Sequence, residues 1–246
     1  FYDIGWTFPD NVAYSRCVTS RKRHSGGAGP GSAGHGPREA MVRIGSVMAI
    51  PAILESLGAD PAGVLAEARF DRSLFSDPNN LIPFVARTRL VNHCAARTGC
   101  RHFGLLIGGR ISLDSLGLVG LLVKYSPDVG TALRSLVRYL HLHVHGATTS
   151  LETSDRNATL GYAIYEPHVE ATDQIGAGAT AMMFNLMRTL CGPDWKPVEI
   201  QFAHRRPENI APFRRFFRAP LLFDVEQYAV VFAADWLHRS WPGADA

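Results

Sequence analysis

The chain has 246 residues, 46% of them hydrophobic and 19% charged, with a formal net charge of +3. That balance fits a globular chain with a sizeable core, and so small a charge gives no argument for nucleic-acid binding by itself. The longest apolar run, Leu116–Val123, is far short of the roughly 20 residues a membrane helix needs, so no membrane partner is expected.

The first residue is Phe1, and Met41 is a candidate natural start. Residues 21–40 combine Arg21-Lys22-Arg23 with a Gly/Ser/Ala/Pro tract. Such a tract cannot bury enough apolar surface to offset its ordering entropy, so residues 1–40 read as a disordered extension. No basic region followed by an apolar one marks a signal peptide. Order is expected from about Val47. Met48, Ile50, Ile53, Leu54 and Leu57 form a helical stripe, and Asp60-Pro61 is a cap and first-turn proline for a second short helix. Asp77-Pro78-Asn79-Asn80 is a turn. Ile82-Pro83 opens a helix to about Thr98 whose buried side reads as Val85, Leu90, Val91 and Cys94, closed by Gly99. A short helix follows at Phe103–Ile107.

Ser115–Lys124 is apolar all round and reads as a buried helix. Ser126-Pro127-Asp128 caps the next helix, from Val129 to about His141. Thr148–Thr153 and Ala158–Tyr165 pair as a hairpin across Asp155-Arg156-Asn157. Asp173–Leu190 is the longest helical pattern, stopped by Gly192-Pro193. Val198, Ile200 and Phe202 alternate as a strand. A short helix follows, opened by Pro207 as a first-turn residue, with Ile210, Phe213, Phe216 and Phe217 at helical spacing, a break or restart at Pro212, and Pro220 at its end. Leu221–Val225 and Ala229–Ala233 read as closing strands. The fold class is therefore α+β: helices packed on a small, mainly antiparallel sheet in a single domain.

Several motifs bear on chemistry. Gly29-Pro30-Gly31-Ser32-Ala33-Gly34 matches a dinucleotide pattern, but no strand precedes it and no helix follows it. His141, His143 and His145 alternate, as ligands on one strand face would, yet they fall where a helix ends, and no carboxylate or cysteine completes a metal set. His93, Cys94, Cys100 and His102 read more simply as helix packing around a buried thiol. No metal and no cofactor is implied. The four cysteines, Cys17, Cys94, Cys100 and Cys191, are too sparse for a disulfide framework and point to a reducing, cytoplasmic setting. No hydrolase elbow, Walker loop or H-E-x-x-H motif occurs, so nothing argues for an enzyme. Arg205, Arg206, Arg214, Arg215 and Arg218 read as a solvated helix face, without a groove-reading partner helix.

The order of Asp77-Pro78, Ile82-Pro83, Thr98-Gly99, Phe103-Gly104-Leu105, Leu116-Gly117-Leu118-Val119-Gly120, Ser126-Pro127, Arg138-Tyr139, Gly192-Pro193-Asp194-Trp195 and Val198-x-Ile200-x-Phe202-Ala203-His204 resembles the N-terminal, arabinose-binding-like sensor domain of AraC-type transcriptional regulators. The resemblance runs from about Val47 to Ala246. Tyr228 departs from it, standing where a small polar turn residue is common. It implies an effector-sensing and dimerisation domain over residues 47–240, with residues 241–246 starting a linker to a helix-turn-helix DNA-binding domain outside this chain. The implied partners are a small-molecule effector, DNA through that absent domain, and a second copy in a homodimer. Effectors vary across the family, so none transfers. The alternatives are a ligand-free interaction module using the apolar face of Asp173–Leu190, and a small-molecule enzyme.

For the sensor, a pocket is expected between the helices at Ser115–Lys124 and Val129–His141 and the strands beginning at Thr148, Ala158 and Val198. Tyr125, Arg138, His141, Tyr162, Trp195 and His204 are its candidate ligand-binding residues, as polar or aromatic positions on elements that should pack together. If the N-terminal tract is disordered, limited proteolysis will cut before about Val47 and leave a stable core. Protection of Arg21–Ala40 against protease would contradict that.

Overall fold

The computed structural model describes residues 39–167, 169 and 172–241. The extension expected over 1–40 falls outside these residues up to position 38, as does the expected linker from position 242 onward. Order is already present before Val47. Strand β1 (Met41–Arg43) pairs antiparallel with β2 (Leu81–Pro83), Val42 opposite Ile82. Three-residue strands carry too few positions to show a period, which is why the sequence pattern did not mark them.

Between these strands lie α1 (Ile50–Ser56) and α2 (Pro61–Glu67). The Asp60 carboxylate accepts from the backbone N–H groups of Ala62 and Gly63, capping α2 as its sequence implies. Helix α3 (Phe84–Thr98) ends at Gly99, whose φ of +64° is the left-handed cap that glycine adopts without strain. Its buried stripe is Phe84, Arg87, Thr88, Leu90, Val91 and Cys94, so a charged residue sits among apolar ones.

Helix α4 (Phe103–Gly108) is only six residues long and is held against α7 (Asp173–Cys191). Gly104 and Gly108 face α7 so closely that a Cβ on Gly104 would overlap the Gln174 carbonyl, and one on Gly108 the Gly178 carbonyl. Both ends of α4 are capped from α7. The Gln174 side chain accepts from the Gly104 N–H at 2.7 Å and donates to the Arg101 carbonyl at 2.9 Å, while the Asn185 amide donates to the Gly109 carbonyl at 2.9 Å. A six-residue helix leaves most of its terminal backbone groups without internal partners, so these side chains supply what α4 cannot.

Helix α5 (Leu118–Lys124) corrects the expected buried helix. A 3-10 turn (Asp114–Leu116) and Gly117 separate it from the preceding segment. Val119 and Val123 point inward against α6 (Val129–Tyr139), whereas Leu118, Leu121, Leu122 and Tyr125 are exposed. Uniform apolarity over seven residues cannot tell which side faces the core. Asp128 caps α6, accepting from the Thr131 N–H at 2.7 Å.

The main sheet has the order β3-β4-β7-β5-β6, from β3 (Ala147–Thr153), β4 (Asn157–Ile164), β5 (Glu199–Phe202), β6 (Leu221–Phe223) and β7 (Tyr228–Ala233). All neighbours are antiparallel except β5 and β6. Leu160 lies opposite Val230, which lies opposite Ile200, so with Tyr162, Tyr228 and Phe232 they share one buried face. Helix α7 covers it. Tyr228, the departure noted in the sequence, packs its ring on Gly176, where a Cβ would overlap it. Because α7 is buried between α4 and this sheet, it presents no apolar face to a partner, which removes the surface on which the ligand-free interaction module was based. Helix α8 (Ala211–Phe217) has Pro212 in its first turn. The helix starts beside Pro212, as a restart there would have it, and Pro207 lies outside any helix instead of in a first turn; a missing N–H is harmless at the start of a helix.

Alanine normally stabilises a helix relative to glycine by about 1 kcal/mol. At Gly108 the backbone contact reverses the sign. Gly108→Ala is expected to lower the unfolding free energy by about 2 kcal/mol or more. A urea titration in which this variant matched or exceeded the parent would refute the close α4–α7 packing.

Candidate functional site

Helices α3, α4 and α7 meet strand β4 around a cavity that is otherwise closed by the segment Ser46–Val47 and by Leu116, Leu140, His143 and Val144. It offers about 60 Å³ to water-sized centres, several times the roughly 10–15 Å³ one ordered water occupies. The walls are mainly aliphatic. Val91 comes from α3, Ile107 from α4, Ile175 and Met182 from α7. The α4–α7 glycines make part of the wall from bare backbone, since Gly104 and Gly178 both line it.

Five polar side chains interrupt the apolar lining. Ser46 donates to the Arg43 carbonyl, and Gln174 is bonded to Gly104 and Arg101, which leaves Arg87, His143 and Tyr162. Arg87 reaches in from the buried stripe of α3 and is only 6% exposed. Its guanidinium stacks over the Phe84 ring at 4.3 Å, and its Nε and Nη2 have no hydrogen-bond partner. Among the described residues no carboxylate is paired with it. His143 is buried, and its Nδ1 is also without a partner. Its backbone is fixed by two hydrogen bonds, its N–H donating to Leu140 and its carbonyl accepting from Arg43. Burial, with the charges of Arg87 and Arg43 behind it, pushes the imidazole down to about 4, so it is neutral near pH 7. Tyr162, from β4, is buried as well. Burial raises its phenol, while the Arg87 charge beside it and a side-chain hydrogen bond to Arg87 pull the other way. Its O–H therefore stays protonated and available as a donor.

Residues 58–241 match the family model described as the arabinose-binding domain of AraC transcription regulator, N-terminal. The chain belongs to that family. The AraC-type domain is 23% identical over 176 residues to the HTH-type transcriptional regulator VirS of Mycobacterium tuberculosis (strain ATCC 25618 / H37Rv), a match covering 71% of this chain and 52% of VirS. It is 20% identical over 199 residues to the ornithine utilization regulator of Pseudomonas aeruginosa, covering 81% of this chain and 59% of that protein. The chain thus spans little more than half the length of these relatives. In fold it is similar to the crystal structure of transcriptional regulator CdpR from Pseudomonas aeruginosa, with a TM-score of 0.55 at 15% identity, covering 74% of this chain and 56% of that one.

Of the six residues singled out from the sequence of this AraC-type domain, Tyr162 lines the cavity and the other five do not. Trp195 is buried against Phe184 and Phe232, at centroid distances of 5.5 and 6.4 Å. His204 stacks on Tyr228 at 5.8 Å and meets Phe202 at 5.2 Å. Both belong to an aromatic layer between α7, α8 and the sheet. Tyr125 is 65% exposed on the outer side of the α5 terminus. Arg138 lies over the Tyr139 ring at 5.4 Å, and the exposed His141 contacts the Arg138 carbonyl. The cavity sits on the α3–α4–α7 side because α5 turns half its apolar residues outward and cannot wall it.

Nor do the three alternating histidines share a face. His143 is buried, whereas His141 and His145 are exposed. Among the described residues no group of three or more His, Cys, Asp or Glu side chains could hold a metal ion, and no helix is long and apolar enough to cross a membrane. The Cys100 thiol lies 3.7 Å from His102 Nδ1, while Cys94 is buried apart and pushed up to about 12 by desolvation. The residue that sequence reasoning missed is Arg87. A usable signal existed: Phe84, Arg87, Thr88 and Val91 are spaced i, i+3, i+4, i+7, so the apolar stripe of α3 carries a cation.

His143 makes the AraC-type domain sensitive to acid. The unfolded imidazole takes up a proton near pH 6.5, whereas the folded one resists protonation until about pH 4. Its contribution to stability is therefore complete above about pH 6.5 and is lost as the pH falls toward about 4, by on the order of 3 kcal/mol. Urea unfolding of the parent and His143→Leu between pH 7.5 and 4.5 should give curves whose difference shrinks with acidification in this direction. A difference independent of pH would mean that His143 is not held neutral.

Proposed function

We propose that this chain is the effector-sensing and dimerising part of a DNA-binding transcriptional regulator that works in the cytoplasm. The observation that carries the reading is the cavity at the junction of α3, α4, α7 and β4, in a member of a regulator family. An apolar site with a few convergent polar groups is what a small-molecule receptor needs. The groups facing it include a guanidinium, a neutral imidazole and a phenol, with no carboxylate among the described lining residues. That set suits recognition and lacks the nucleophile–base pairing that an enzyme reading calls for. DNA binding is assigned to helix-turn-helix units of the whole protein, in line with the regulator names of its relatives.

The exposed stripe on α5 supports homodimerisation. Leu118, Leu121, Leu122 and Tyr125 follow the i, i+3, i+4, i+7 spacing of a helix interface, and a two-fold pairing would lay the stripe on its own copy. Two measurements test these assignments. In a thermal-shift screen of metabolites, a ligand present at one hundred times its dissociation constant adds about 2.7 kcal/mol of stability and gives a clear rise in melting temperature. In sedimentation velocity the parent should run as a dimer and the Leu121→Glu, Leu122→Glu double variant as a monomer with an unchanged circular-dichroism spectrum. A panel without a single stabilising compound would count against sensing, and a double variant that remained dimeric would remove α5 from the interface.

A further inference from the structure

We infer that the cavity is built for a small monocarboxylic acid with a compact apolar body, its carboxylate held by the side edge of the Arg87 guanidinium. The inference rests on the sensor reading and gives it a ligand class. Nε and Nη2 share one edge of the guanidinium, and both are buried and without a partner. That edge presents two parallel N–H donors at the spacing of the two oxygens of a carboxylate. The face of the same group is occupied by the Phe84 ring, so the edge is the part left for a ligand. Tyr162 and His143, lining the same cavity, add neutral donors.

A buried guanidinium without a counter-charge is costly, and proteins pair such groups or fill the site. Here the pairing group is missing from the described protein residues, and the space beside the guanidinium is a cavity. A carboxylate supplies the single negative charge that balances it. A phosphate would bring up to two charges, and the lining holds one cation. Most of the rest of the wall, with Val47, Val91, Ile107, Ile175 and Met182, is apolar, and the Ser46 hydroxyl and Gln174 amide that also line it are already hydrogen-bonded within the protein. The remainder of the ligand must therefore be apolar, and the size of the cavity keeps it short.

The test uses the whole chain and measures melting temperature and calorimetric affinity for isobutyrate, isovalerate, hexanoate and benzoate, each beside its primary amide. The amides keep the shape and remove the charge. At least one acid should stabilise the parent in a concentration-dependent way while its amide does not. Arg87→Met should fold, since it replaces an uncompensated buried charge by an apolar side chain of similar length, and should bind that acid about thirtyfold more weakly or not at all. Arg87→Lys, which keeps the charge but not the fork, should fall between the two. Ala179→Leu fills the cavity and leaves Arg87 in place, so it should abolish the response even if Arg87→Met unfolds. Equal stabilisation of the parent, Arg87→Met and Ala179→Leu by the acids would overturn the inference, as would no response to any acid. If neutral or cationic metabolites stabilise the chain and the acids do not, the carboxylate assignment fails while the sensor reading survives.

Discussion

The rest of the architecture depends on the clamp between α4 and α7. Helix formation has a costly nucleus, and a helix of six residues is not stable alone. What holds α4 is backbone contact through Gly104, Gly108 and Gly178, with Gln174 and Asn185 satisfying its ends. The contact is short because no side chain intervenes. It fixes where α7 lies over the sheet, and Gly176 lets the Tyr228 ring under the same helix. It also creates the cavity. Side chains from α3 and β4 reach toward a wall that two glycines leave hollow, and none of the described side chains fills the remainder.

How much of this could be read from the sequence depended on whether the signal was local. The caps at Asp60 and Asp128, the long helix α7, the hairpin β3–β4 and the alternating strand β5 are local patterns, and each lies where its pattern falls. The α+β class follows from them. The polarity of α5 was not legible. Leu118, Leu121 and Leu122 differ from Val119 and Val123 only in what happens to pack nearby, and that is tertiary information. Of the candidate ligand-binding residues, Tyr162 alone lines the cavity. Trp195 and His204 were chosen for their polar atoms, yet the surrounding aromatic rings absorb them into a packed layer. Arg87 was overlooked for the opposite reason: charged residues on helices are ordinarily solvated, and only its place in the stripe gave it away.

Sensing requires more than a cavity, since a ligand shifts an equilibrium only by the difference in its affinity for two arrangements. The fold offers a physical route for such a difference. Leu116, two residues before α5, and Leu140, directly after α6, both line the cavity, so the cavity is touched on either side of the α5–α6 hairpin. The outer side of that hairpin carries the exposed apolar stripe. The far end of the described chain is pinned to the same unit, because the buried Trp241 indole donates to the Ser126 carbonyl at 2.9 Å and Asp128 bridges to Ser240. On the proposed reading, a ligand that draws Arg87 inward changes the packing against Leu116 and Leu140. It thereby acts on the α5 stripe and on the contacts that hold Trp241. The guanidinium gives this arrangement its bias. Among the described residues no carboxylate balances this buried charge, and a bound anion would remove that penalty only in the arrangement that keeps Arg87 inside. The charge that makes the empty site costly is therefore also what allows occupancy to favour one packing of the hairpin over another.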